Sequence, residues 1–132
     1  MQCHRSEVSG RRLWGLFARR FETPESFFSR FGVVNYCPLA FLAEGGRNIT
    51  PDRLPRAERA LLAEACDEHL LALLSFFRPA VAVGVGRFAE SVLKRLVPAS
   101  VEARCILHPS PASPAANREW SGVVETALAD IL

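Results

Sequence analysis

The sequence predicts an α/β fold, a short parallel sheet with helices on both faces in three layers, α, β and α. Three observations carry this. Apolar runs of strand length alternate with longer helical patterns along the chain. One run, Ala80-Val81-Ala82-Val83, is apolar throughout, as suits a strand buried on both faces. Gly84 and Gly86 follow it and lead straight into another helical pattern, the sign of a tight strand-to-helix turn that needs small residues.

Length and composition narrow the class. The 132 residues allow one domain at most, and 49% of them are hydrophobic, enough for a core. The net charge is only +2, so nucleic-acid binding cannot be read from total charge. The kind of charge says more. Fifteen of the 16 basic residues are Arg and only Lys94 is Lys, and arginine's planar fork suits phosphate. Arg5, Arg11, Arg12, Arg19, Arg20 and Arg30 crowd the amino-terminal part beside Glu7, Glu22 and Glu25, a pattern that a solvated helix face explains equally well. Cys3, Cys37, Cys66 and Cys105 form no C-x-x-C pair, which argues against a zinc or iron–sulfur site and for reduced thiols. Met1 to Arg5 has no apolar leader core, and no run is long enough to span a membrane.

Ser9-Gly10 opens a helical pattern in which Leu13, Trp14, Phe17 and Phe21 share a stripe. Thr23-Pro24-Glu25 starts a second helix with a capping threonine, a proline in the first turn and an acid. Phe27, Phe28 and Phe31 supply its buried face. Val33 to Cys37 reads as a short strand that Pro38 ends or confines to an edge. Asn35 is out of place there. It is either a turn asparagine bonded to its own backbone or an amide that needs other partners. Phe41 to Thr50 reads as a loop. Gly45-Gly46, then Arg47-Asn48, then the helix start Thr50-Pro51-Asp52 make either a phosphate cradle or an ordinary turn and cap.

Pro55 to Phe77 is one long helix with a broad apolar face of Leu61, Leu62, Ala65, Cys66, Leu70, Leu73 and Leu74, and His69 stands beside that face as a structural residue. After Arg78-Pro79 comes the apolar strand. Gly84-Val85-Gly86 with Ala89 is half of a dinucleotide fingerprint, and Glu102 lies near the place of its closing acid. A nucleotide-binding half-fold is therefore an alternative to a plain tight turn. Phe88 to Leu96 is helical, Pro98 breaks the chain, and Val101 to Leu107 is the next strand. His108 stands where that strand ends, on a loop stiffened by Pro109, Pro111 and Pro114. Loops at the carboxyl ends of strands bind ligands in open α/β sheets, which makes His108 the first candidate for chemistry. A last helix carries Trp120, Val123, Val124, Ala127, Leu128 and Ile131 on one face, with Asn117 as a candidate cap. Only three strands are evident, a sheet with open edges, so the chain reads as the carboxyl half of something larger.

Five stretches together resemble the single-strand-selective monofunctional uracil-DNA glycosylases, a branch of the uracil-DNA glycosylase superfamily. They are Ser6 to Gly10, Asn35-Tyr36-Cys37-Pro38-Leu39, Gly46-Arg47-Asn48-Ile49-Thr50-Pro51, Val83-Gly84-Val85-Gly86-Arg87, and His108-Pro109-Ser110-Pro111 with Asn117, in the family's order. The resemblance implies a single, partial uracil-DNA glycosylase-like domain over residues 1–132. It implies base excision repair: a uracil, or 5-hydroxymethyluracil, is flipped out of single- or double-stranded DNA and its N-glycosidic bond is hydrolysed. His108 is then the catalytic residue, donating to the uracil O2 as negative charge develops there. Asn35 is the uracil reader, whose amide matches N3–H and O4 and mismatches cytosine. Gly45, Gly46, Arg47, Asn48 and Thr50 are expected to hold DNA phosphates. Pro109, Ser110, Pro111, Ala112, Ser113, Pro114 and Asn117 form the loop that wedges into the gap left by the base.

No cofactor, no metal and no membrane are implied. The protein is expected to act as a monomer on DNA, in the cytoplasm of a bacterium or the nucleus of a eukaryote, and not to be secreted. Two departures stand out. Ala112-Ser113 replace the Arg-Asn usual in animal members, and the family's Gly-Met-Asn-Pro-Gly-Pro-like motif, with its water-positioning asparagine, would lie upstream of Met1. The alternative is a DNA-binding remnant without catalysis.

Overall fold

The computed structural model describes residues 7–132; Cys3, Arg5, Ser6 and the Met1 to Arg5 start lie outside them. Helix α1 (Val8–Phe21) begins on Glu7, whose carboxylate accepts from the Ser9 and Gly10 amides. Arg19 and Arg20 fill its last turn, where cations favour the helix dipole. Helix α2 (Pro24–Phe28) starts on Thr23, whose hydroxyl oxygen accepts from the Ser26 amide. The aromatic stripe is core, as expected. Phe27 stacks on Phe31 with ring centres 5.2 Å apart and packs on Phe17 at 4.7 Å.

The expected strand over Val33 to Cys37 does not form; the segment is irregular. Its physical reason is local. Val33 and Val34 lie exposed, no strand pairs with them among the described residues, and Tyr36 is bonded to a helix instead. The expected loop over Phe41 to Thr50 contains a small antiparallel hairpin, β1 (Phe41–Leu42) with β2 (Asn48–Ile49), closed through Gly46 at φ +75°. A single 3₁₀ turn, Pro51–Arg53, follows.

Helix α3 (Arg56–Phe77) ends at Arg78, which takes a left-handed conformation before Pro79. Only Cys66 and Leu70 of its apolar face are buried, while Leu61, Phe76 and Phe77 stay exposed. His69, expected to be structural, is exposed as well. Strand β3 (Val81–Val85), helix α4 (Arg87–Leu96) and strand β4 (Glu102–Ile106) make one parallel unit, in register from Val81 opposite Glu102 to Val85 opposite Ile106. The parallel sheet thus has two strands among the described residues, not three.

Layering follows from strand alternation. Val83, Val85 and Ile106 face a core of Leu16, Phe17, Phe21 and Phe27 from α1 and α2, and Trp120, Val124 and Leu128 from the carboxyl-terminal segment. Ala82 faces Leu70 of α3 and Val92 and Leu93 of α4 on the other side. Helices therefore cover both faces. Gly84 is needed for the second contact: a Cβ there would come 2.9 Å from the Glu90 amide nitrogen and 3.0 Å from the Ala89 carbonyl carbon. This packing accounts for the first fingerprint glycine without a nucleotide. Helix α5 (Ala116–Ala127) closes the chain, with a break at Glu119. Its cap is Ala115, not Asn117 as expected, because the Asn117 amide is engaged elsewhere. No helix among the described residues is long and apolar enough to cross a membrane.

Candidate active site

His108 lies two residues beyond the last residue of β4, at the carboxyl end of the sheet. The Ser110 amide donates to its Nδ1 at 3.1 Å. A ring nitrogen that accepts carries no proton, so in the neutral imidazole the proton sits on Nε2. Nε2 makes no hydrogen bond among the described residues, and the side chain is exposed. His108 thus offers one N–H donor outward.

Gly86 sets where the ring lies. It follows β3 and caps α4, with its amide on the Ile106 carbonyl at 2.9 Å and φ +91°. Its Cα faces His108 so closely that a Cβ would meet the His108 Cβ at 2.9 Å. The second fingerprint glycine therefore serves close approach to a histidine.

The loop beyond is knitted into one piece. The Ala112 amide donates to Ser110 Oγ at 3.2 Å, and the Ser113 amide to the Ser110 carbonyl at 3.0 Å. Asn117 Nδ2 donates to the Pro111 carbonyl at 2.8 Å. Trp120 Nε1 donates to the Leu107 carbonyl at 2.6 Å, so α5 holds the residue just before the histidine. Arg12 of α1 donates from Nη1 to the Pro109 carbonyl and from Nη2 to Asn117 Oδ1, both at 2.9 Å. Pro109 is buried, whereas Pro111, Ala112 and Pro114 face solvent.

Sequence reasoning left Arg12 open between a solvated helix face and a DNA-binding patch and missed this contact. The signal was its spacing from Arg19, seven residues and two helical turns on, which bonds Ser121 of α5 at 3.2 Å. The Glu7 carboxyl at the start of α1 is held below the usual carboxylate range, chiefly by hydrogen bonds from Ser9 and Gly10.

Asn35 is exposed, and its side-chain amide has no hydrogen-bond partner among the described residues. Its neighbour Tyr36 is anchored. The phenol donates to Asp67 Oδ1 at 2.6 Å, and the ring meets Phe88 edge-on with centres 5.4 Å apart. Arg95 clasps the same carboxylate through both guanidinium nitrogens and holds it below the usual range. Burial first, and Asp67 second, push the Tyr36 phenol up to about 12. Phe88 is two residues from Gly86, which touches His108. The Asn35 segment thus meets Phe88 of α4 through Tyr36, and His108 meets Gly86, the residue that caps α4.

The hairpin residues Gly45, Gly46, Arg47, Asn48 and Thr50 are all exposed, and no hydrogen bond joins them to the His108 loop among the described residues. Two shallow depressions of about 480 and 630 Å³ exist, one along α5 at Glu119 and Val123, the other by Leu74, Pro79 and Pro98; His108 and Asn35 line neither. Among the described residues no three His, Cys, Asp or Glu side chains converge as metal ligands. Cys37, Cys66 and Cys105 are free thiols.

No protein-family model matches the chain. Over 99% of its length it is 42% identical to the "Single-strand selective monofunctional uracil DNA glycosylase" of Bos taurus, across 135 aligned positions that make up 49% of that protein. It is 41% identical to the counterpart in Rattus norvegicus and 40% to that in Mus musculus, again over 99% of this chain and 48% of each relative. The chain spans about half the length of the curated relatives it matches.

Proposed function

We propose that this chain, similar over 99% of its length to the single-strand selective monofunctional uracil DNA glycosylases, supplies the base-reading and leaving-group half of such an enzyme. The fold is then one partial uracil-DNA glycosylase-like domain over residues 1–132. The reaction is hydrolysis of the N-glycosidic bond of uracil, or of 5-hydroxymethyluracil, in single- or double-stranded DNA. The work is base excision repair.

The observation that carries this reading is the Ser110 amide on His108 Nδ1, at 3.1 Å. As the bond between C1′ and N1 breaks, its electron pair stays on the base and charge collects on O2. A neutral imidazole with its proton on Nε2 is a fixed donor for that charge. It stabilises the leaving base without giving the proton up. Water adds to C1′, and the products are free base and an abasic site. Asn35 keeps its amide unspent for the base edge, Oδ1 for uracil N3–H and Nδ2 for O4. Cytosine presents an acceptor and a donor in those places, leaving both amide groups mispaired. The loop from Pro109 to Pro114, with Asn117, is the wedge. Gly45, Gly46, Arg47, Asn48 and Thr50 touch phosphates, where exposed donors position DNA without reading it.

One observation favours a second reading. His108 and Asn35 are both exposed and line neither of the two depressions described above, as a DNA-binding remnant without catalysis would also have it. The two separate in one assay. The full chain is given a uracil-containing single strand, alone and with a polypeptide matching the part of the bovine relative that it lacks. Base release only in the mixture, lost on His108→Ala, supports the glycosylase. Salt-dependent binding with no release in either condition supports the remnant.

A further inference from the structure

We propose that Arg12 is a positioning residue for His108, acting through the single peptide unit between Pro109 and Ser110. That unit is rigid and planar, so its carbonyl and its N–H turn together. Arg12 Nη1 holds the carbonyl at 2.9 Å. The N–H on the same plane is the Ser110 amide, which reaches His108 Nδ1 at 3.1 Å. Fixing one end aims the other, and a donor on the carbonyl also strengthens the N–H as a donor.

The loop needs an outside hand. Proline has no N–H, so Pro109, Pro111 and Pro114 contribute carbonyls and no donors. The Ala112 and Ser113 amides are both used on Ser110. Among the described residues the Pro109 carbonyl takes its hydrogen bond from Arg12, and Pro109 is buried. Arg12 supplies the bond from α1. Its other arm grips Asn117 Oδ1, and Asn117 in turn grips the Pro111 carbonyl at 2.8 Å. A planar fork presents the two N–H groups in fixed geometry; an ammonium on a flexible stem does not.

What His108 does with its donor rests on the glycosylase reading above, but its tautomer is measurable without any activity. The experiment is long-range ¹H–¹⁵N correlation of the His108 ring in the full chain at about pH 8.5, where an ordinary imidazole is neutral, with amide exchange at Ser110. The variants are Arg12→Ala, Arg12→Lys and Arg19→Ala. Arg19→Ala is the control, because it cuts another tie between α1 and α5, the bond to Ser121, away from the loop. The wild type should show the proton on Nε2. Arg12→Ala should mix the tautomers and speed Ser110 exchange on the order of tenfold, as loss of one net hydrogen bond would. Arg12→Lys should restore part of this, and Arg19→Ala should leave the ring unchanged. An unchanged ring in folded Arg12→Ala, or an equal change in Arg19→Ala, overturns the proposal. If Arg12→Ala does not fold, Asn117→Ala carries the same test, since it removes one of the two anchors and should produce part of the tautomer mixing. A chain whose ring responds as expected but that releases uracil neither alone nor in the mixture keeps the proposal and removes the glycosylase reading.

Discussion

Gly86 and His108, one at the end of each parallel strand, approach so closely that a methyl group on the glycine would come within 2.9 Å of the histidine Cβ and 3.2 Å of Cδ2. The glycine is also at φ +91°, a region that residues with a side chain rarely adopt. Gly86→Ala therefore meets backbone strain and a clash together, and the ring must move. Expected is a loss of about 1–3 kcal/mol in denaturant unfolding with altered His108 ring resonances. Gly45→Ala is the comparison, with nothing within 4 Å of its Cβ. It should change stability by less than about 0.5 kcal/mol. Equal effects from the two variants would mean that Gly86 is not what holds the ring's place.

Trp120 bears on the same histidine from below. Its indole donates to the Leu107 carbonyl at 2.6 Å, and the residue is 3% exposed. Trp120→Phe keeps most of the apolar contact and strands a part-buried carbonyl. A loss of about 1–3 kcal/mol is expected, read as a lower thermal midpoint. A change under about 0.5 kcal/mol, the range of ordinary surface substitutions, would show that the carbonyl finds another donor.

Much of this architecture was legible in the sequence because its causes are local. The stripe of Leu13, Phe17 and Phe21, the Thr23 cap and the apolar run at Val81 each depend on neighbours a few positions away, and each formed its element. His108 was legible as a strand-end residue for the same reason. Asn35 was misplaced in a strand because β-branched neighbours predict a pleat only where another strand lies alongside. Here Tyr36 found Asp67 instead. Arg12 was invisible as a site residue because its partners lie 97 and 105 positions away. Asn117 reads as a candidate cap by type, but its side chain is held by Arg12, 105 positions away, and by the Pro111 carbonyl.

Alkaline pH should unfold the protein earlier than acid-labile groups alone would suggest. Burial, then the hydrogen bond with Cys37, push the Cys66 thiol from its ordinary 9.0 up to about 11. Tyr36 rises from 10.0 to about 12. Both groups are neutral when protonated, and the folded state holds those protons more tightly than the unfolded one. Their contribution is complete below pH 9 and declines as pH climbs toward 11 and 12, because the unfolded chain releases protons first. Urea midpoints should be level up to about pH 9 and fall steadily above it. A midpoint constant to pH 11 would contradict the tight holding of both protons.

Tyr36→Phe separates the two groups and tests what holds the base-reading segment. The variant keeps the edge-on contact with Phe88 and removes the phenol's bonds to Asp67 and to the Ala63 carbonyl at 3.2 Å. Asp67 retains both Arg95 contacts, so no charge is stranded. The loss should be about 1 kcal/mol, below the usual worth of a bond to a charged partner because water reaches this site. The fall in urea midpoint between about pH 10 and 12 should shrink, while the part due to Cys66 between about 9 and 11 remains. If the phenol anchors the Asn35 segment, the Asn35 and Cys37 amide resonances should shift in the variant, with those of β3 unchanged. Unshifted Asn35 and Cys37 resonances would place the anchor in the Phe88 contact alone.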